Sequence, residues 1–294
     1  MPNLNSAKLL GPAALCASAK SRSDASVSPR RNSLLASLPD EDYYRLVPYL
    51  TSVRLEAGER LGESGNRQRY VHFPVTSVLS LQCILEDGAG SEIAVIGREG
   101  LFSATLLMDD TTASSKAQVQ CGGVAYRGAA EHVAREFRRG AAFQRLVLRH
   151  MQTLFMQVSQ ISTCNRSHPV EQRLCRWLLG MLERDTGPEL LVTQERLGFI
   201  LGVRRESITE AAGRLQEAGA IRYRRGRITV LAAHELEARA CGCHAELKHI
   251  HERSLDGAGD AVATITPSVR AARIAAMRPG LQGGSTVQAV SAAG

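Results

Sequence analysis

Between Arg196 and Arg227 the chain places eight arginines against three glutamates, with no lysine. A guanidinium is planar and permanently charged, and its fork of N–H groups matches a phosphate or the acceptor edge of guanine, so this residue type at this density suits a polyanion. A solvated helix face laced with i,i+4 pairs is the alternative that charge alone leaves open. Spacing divides the arginines into two groups. Arg204 and Arg205 open an apparent helix that continues through Glu206, Thr209 and Glu210, whereas Arg222, Arg224, Arg225 and Arg227 crowd a glycine turn further on.

The elements that must hold these groups are readable nearby. Thr193 offers a hydroxyl cap to the run "QERLGFIL", in which Leu197, Ile200 and Leu201 form a packing face, and Gly202 then supplies a turn. A second helix is predicted from near Arg204 to about Ala218, with Val203, Ile208, Ala211, Ala212 and Leu215 inward and Arg205, Glu206, Thr209 and Glu210 outward. After Gly219, "AIRYRR" and "RITVL" read as two short strands around Gly226. Two helices across a tight turn, followed by a basic hairpin, predict a winged helix-turn-helix. Its helix face would enter the major groove of double-stranded DNA while the wing grips phosphates. The expected DNA-binding residues are therefore Arg204, Arg205, Glu206, Thr209, Glu210, Arg224, Arg225 and Arg227.

Upstream the texture changes. Residues 1–31 and 255–294 lack sustained periodicity and are expected to be a disordered arm and tail. A short entry helix is predicted within Leu34 to Leu50, with "LPDEDY" as its proline and acidic start, then short β-prone runs divided by turns to about residue 128, the pattern of a barrel or jelly roll. Residues 129–166 return to helix. There Phe143, Val147, Met151, Leu154, Val158 and Ile161 step by three or four and form a stripe that can pair with a second copy, or else cover the chain's own barrel, a task also open to Leu146 and Phe155. Residues 167–254 complete the helix-turn-helix domain, with Pro169 in the first turn of a helix whose Val170, Leu174, Trp177, Leu178 and Met181 point inward. The expected class is α+β: a β-roll over 32–128, a long dimerisation helix and a C-terminal winged helix-turn-helix.

Composition narrows the function. The net charge of +7 comes from the first 31 residues and from 166–255, while residues 32–165 are near neutral. No apolar run approaches the roughly 20 residues of a membrane span, and "LLGPAALCASA" makes a poor secretion signal because Lys8 is its only basic lead, so no membrane partner and a cytoplasmic location are expected. Seven cysteines, mostly isolated, point to reduced thiols rather than a disulfide framework. "ACGCH" sets Cys241, Cys243 and His244 together with His249 and His251 nearby, but not at a standard zinc spacing, and His72, His132 and His150 are scattered. No metal and no cofactor are expected. Phosphate-loop, zincin, nucleophile-elbow and dinucleotide motifs are absent, which argues against an enzyme.

Three segments, "IGREGLF" (Ile96–Phe102), "HPVEQRLCRWLL" (His168–Leu179) and "TQERLGFILGVRRESITEAAGRLQEAGAIRYRRGRITV" (Thr193–Val230), make residues 34–250 resemble the Crp/Fnr transcription regulators. The resemblance implies a homodimer on a pseudo-palindromic operator, with RNA polymerase as a further partner. It also implies that the Arg-Glu pair contacting bases falls on Arg205 and Glu206. Members that bind cyclic AMP place glutamate directly after the first glycine of the GREGLF-like segment, with Arg and Ser about ten residues on. Here Arg98 stands in the glutamate's place, Glu99 comes one position late, and "DDTTASSKAQV" contains no arginine. The effector region by that analogy is Gly97, Arg98, Glu99, Ser114 and Ser115, with an unknown effector that is not cyclic AMP. Iron-sulfur members carry clustered N-terminal cysteines, where this chain has only Cys16. The rival reading is a ligand- or protein-binding signalling module with little specific DNA binding.

Overall fold

A computed structural model of the chain describes residues 27–61, 68–108, 116–184 and 187–256. The leading segment is built from α1 (Ser33–Ala36) and α2 (Asp40–Leu46). The helical run expected from Leu34 to Leu50 is in two pieces: α2 starts at the predicted "LPDEDY", where Pro39, whose ring cannot continue a helix, becomes the N-cap residue. Residues 27–31, expected within the disordered arm, include a short 3-10 turn at Pro29–Arg31, and the Tyr126 hydroxyl donates to the Val27 carbonyl at 2.6 Å. Asn32 is fully buried and donates to the carbonyls of Pro74 and Gly100, both at 2.8 Å, which fastens this segment to the barrel.

Among the described residues seven strands follow: β1 (Leu50–Leu55), β2 (Arg60–Leu61), β3 (Tyr70–Pro74), β4 (Val78–Ile84), β5 (Gly90–Ile96), β6 (Lys116–Cys121) and β7 (Gly123–Ala129). They form two antiparallel sheets, ordered β1-β7-β3 and β2-β6-β4-β5. Alternation places Leu55, Leu79, Leu81, Ile96, Val119 and Ala125 in one apolar interior. This is the β-roll.

α3 (Ala130–Arg138) is followed by a break at Gly140 and then by α4 (Ala141–Ser167), whose 27 residues span about 40 Å. The C-terminal part contains α5 (Val170–Glu183), β8 (Glu189–Leu191), α6 (Gln194–Leu201), α7 (Arg205–Glu217), β9 (Ile221–Arg224), β10 (Arg227–Val230), α8 (Ala233–Arg239) and α9 (Cys243–Asp256). Its core of Leu174, Trp177, Leu178, Leu197, Ile208 and Ile228 is continuous with Val78 and Val95 of the roll. The roll and the helix-turn-helix are thus packed directly on each other, and α9 lies along α4 through Leu247, Ile250 and Ile161.

Candidate DNA interface

The helix pair is held by short-range chemistry. The Thr193 hydroxyl accepts from the Arg196 N–H at 3.1 Å and caps α6. Gly202, at φ +61° in the left-handed region, ends it, and α7 begins three residues later at Arg205. On α7, Ile208, Ala211, Ala212 and Leu215 are buried, which turns Arg205, Glu206, Thr209 and Glu210 out together to solvent, with Arg204 exposed at the N-cap. Arg205 and Thr209, like Glu206 and Glu210, stand one turn apart on the same face.

Sequence reasoning missed Gln194. Its side-chain oxygen accepts from Thr209 Oγ1 at 3.1 Å and from Arg205 Nε at 3.5 Å, so the first turn of α6 sets the pose of two groups on α7. The only available signal was its position just after the Thr193 cap, which directs it toward the next helix.

The wing also differs from expectation by one strand. Its sheet runs β8-β10-β9, because Glu189, Leu190 and Leu191 pair with Thr229, Ile228 and Arg227. Arg225 and Gly226 take φ +48° and +76°, a tight turn that throws the arginines to the tip. Arg224 and Arg225 are exposed, and among the described residues no carboxylate lies within 4 Å of either. Arg227 is different: its Nη1 donates to Glu189 Oε1 at 2.6 Å, so part of its charge is already answered inside the sheet.

Within the single chain, the long-helix stripe packs on the chain's own clusters. Phe143 and Val147 are buried with the leading helices, Ile161 is buried against α9, and Met151, Leu154 and Val158 pack on the chain's own clusters. The physical reason is that the roll needs a cover along one side, and this apolar face of α4 supplies it. Leu146 shares that work, whereas Phe155 is left 72% exposed, with Leu148 two turns before it at 47%.

The segment expected to meet an effector is packed with protein groups. Glu99 accepts from the Gly97 N–H at 3.0 Å and from Arg184, the residue that caps the C-terminus of α5, at 3.0 Å. Burial works against the Glu99 charge, but Arg184 and His251 outweigh it and hold the carboxyl below its usual range. A Cβ at Gly100 would lie 2.1 Å from His150 Cε1, so only glycine lets α4 come this close to the loop, where His150 Nε2 donates to the Leu101 carbonyl at 2.9 Å. Between Glu99, His150, Gln157 and His251 remains a cavity of about 10 Å³, enough for one water. Arg98 is exposed, and Ser114 and Ser115 lie outside the described residues.

A further set of side chains converges in a way that local spacing concealed. Cys241 and Cys243, read from sequence as free thiols beside the DNA-binding domain, meet Cys164 and His168 from the end of α4. His244 turns away toward Glu183, at 3.5 Å, and His249 pairs with Glu252 on the surface.

Comparison with known proteins agrees with this architecture. Residues 172–239 match the Crp-like helix-turn-helix domain. Among solved structures, the chain is similar to a putative transcriptional regulator of the Crp/Fnr family from Eubacterium rectale, at TM-score 0.58 and 18% identity, covering 70% of this chain and 96% of that one. It is also similar to FixK2 from Bradyrhizobium japonicum, at 0.56 and 14%, covering 65% and 98%. The c-di-GMP-responsive global regulator CLP of Xanthomonas campestris follows at 0.55 and 13%, covering 65% and 99%. No curated protein sequence matches the chain. Taken with the exposed arginine-led helix and basic wing described above, these matches give the chain a Crp-like helix-turn-helix domain over residues 172–239, on the fold that these Crp/Fnr structures share.

Proposed function

We propose that the chain binds double-stranded DNA as a homodimer at a pseudo-palindromic operator and acts on transcription there with RNA polymerase as a further partner. The observation that carries the reading is the exposed row Arg205, Glu206, Thr209 and Glu210 beside the exposed wing arginines Arg224 and Arg225. Arg205 suits the O6 and N7 acceptors of guanine, and the Glu206 and Glu210 carboxylates suit the cytosine amino group. Arg204, Arg224, Arg225 and, more weakly, Arg227 lie where phosphates would run. Two-fold symmetry sets the half-site centres about 34 Å apart. No catalytic step belongs to this function, and a cytoplasmic site of action accords with it. Among the described residues no helix is long and apolar enough to cross a membrane.

The outward side of α4 offers a pairing face beside the half-buried Met151, Leu154 and Val158 of the stripe. There the outward residues Leu148, Gln152, Phe155, Ser159 and Ser162 repeat at four, three, four and three, the coiled-coil spacing. Phe155 is its anchor. Sedimentation should show dimers at micromolar concentration for the parent chain and monomers for Phe155→Asp.

The Glu99–Arg184 pair and the 10 Å³ cavity support a sensor that does not take cyclic AMP in this conformation. The deciding experiment is selection of genomic fragments by the purified full-length chain without added ligand. A shared pseudo-palindrome is expected, with binding that weakens steeply as salt rises. Salt-insensitive recovery of random fragments would instead favour a signalling module with little specific DNA binding.

A further inference from the structure

We propose that Cys164, His168, Cys241 and Cys243 form a structural zinc site that clamps the end of the long helix to the C-terminal helices of the DNA-binding domain. The four ligand atoms all lie within 4.8 Å of one another, and the three sulfurs are buried. Cys164 Sγ is 3.5 Å from Cys241 Sγ, and Cys243 Sγ is 3.6 Å from His168 Nδ1. A tetrahedral zinc with Zn–S of about 2.3 Å and Zn–N of about 2.0 Å holds its sulfurs roughly 3.8 Å apart, and sulfur and nitrogen about 3.5 Å apart. The two short separations fit that tetrahedron, and the rest, at up to 4.8 Å, need close in by no more than about 1 Å around an ion. They are far too long for a disulfide, whose sulfurs sit near 2.05 Å. An iron-sulfur cluster, which spreads its thiolates over several irons, needs a wider cage than this one.

The backbone places the ligands without strain. Cys164 and His168 are four residues apart, and the His168 N–H closes the last turn of α4 on the Cys164 carbonyl at 3.0 Å, which stacks the two side chains on one side of the helix end. Cys241 and Cys243 flank Gly242 where α8 gives way to α9, and the His244 N–H turns back to the Cys241 carbonyl at 3.0 Å. Gln160, one turn before Cys164, hydrogen-bonds the Cys243 sulfur in the manner of an outer-shell donor.

Charge favours the same ion. Three thiolates and a neutral imidazole around Zn²⁺ leave one net negative charge, and the buried Arg173 and Arg176 stand within electrostatic reach of the sulfurs. Cysteines serving only as small apolar filler would not call for an imidazole and two buried guanidiniums beside them. The three bound protons released on ligation are the thiol protons, and no oxidation state changes. Since Cys164 and Cys241 are 77 positions apart, the ion would close a long loop and fix α9 against α4.

The test uses the full-length chain, purified under reducing conditions from zinc-supplemented cells. About one zinc per chain is expected, released by a thiol-reactive mercurial. Exchange with cobalt(II) should give the visible ligand-field bands of tetrahedral coordination together with thiolate-to-metal charge transfer. Cys243→Ser should lower the stoichiometry at least tenfold under competition with a metal-indicator dye, while Cys83→Ser, in the roll, should retain about one zinc per chain. Failure of the parent chain both to carry zinc and to develop the cobalt bands would overturn the site, and that measurement does not depend on any variant folding. Recovery of a Cys164–Cys241 disulfide from protein purified in the cell's own redox state would overturn it as well.

Discussion

Two sets of arginines in the C-terminal part of this chain do opposite things. Arg204, Arg205, Arg224 and Arg225 stand in solvent, and their charge is available to a partner. Arg173 and Arg184 are turned inward: Arg173 donates to the carbonyls of Asn165, at 3.1 Å, and Leu201, and Arg184 grips Glu99 and the Gly180 and Val95 carbonyls. The residue type is the same, and neighbours decide its use. An exposed guanidinium gains little from the protein and much from a phosphate, whereas a buried one is tolerable only when carbonyls and carboxylates surround it. Net charge therefore overstates the DNA-binding surface, because part of it is internal fastening.

The comparison can be broken most forcefully from the inside. Arg184→Leu leaves the Glu99 carboxylate buried without its partner, and removal of one member of such a pair costs about 3–5 kcal/mol. The side chains of Arg184 and Glu99 are 9% and 17% exposed, which places the expected loss toward the lower end. Denaturant unfolding should show a lower midpoint with little change of slope. An unchanged midpoint would put Arg184 with the exposed set.

The next largest effect lies on the DNA face. Arg205→Ala should weaken operator binding by about 1–3 kcal/mol and relax preference at one base pair, while unfolding stability shifts by less than about 0.5 kcal/mol. Titration of labelled operator variants measures both affinity and preference.

A smaller, pH-dependent effect belongs to the inner set. His251 accepts from Arg184 at 3.5 Å, and burial, aided by the Arg184 charge, pushes its pKa down from 6.5 to about 4. Between those pH values the unfolded chain holds a proton that the folded chain refuses. This contribution is therefore fully present above about pH 6.5 and is lost as pH falls toward 4, at no more than about 1.4 kcal/mol per pH unit. Unfolding midpoints across that range should lose much of this slope in His251→Gln.

The smallest effect is expected at the wing. Arg224→Ala should weaken binding about equally on all sequences and reduce the slope of log affinity against log salt by about 1. A sequence-selective loss would instead move Arg224 from gripping phosphates to reading bases.

What could be read from the sequence was local. The Thr193 cap, the Gly202 turn, the inward spacing on α7 and the glycine hairpin all act within a few residues, so their geometry follows from residue type and separation. Pro39 follows the same rule, since the proline and acidic start read in "LPDEDY" is where α2 begins. Tertiary structure alone decided the rest. Which face of α4 meets the roll depends on the shape of a barrel formed by distant strands, so a heptad-like stripe by itself does not separate self-covering from pairing. Glu99 and Arg184 are 85 positions apart, and Cys164 and Cys241 are 77 apart. At such separations the chain brings side chains together only by folding as a whole, and residue spacing carries no record of the meeting.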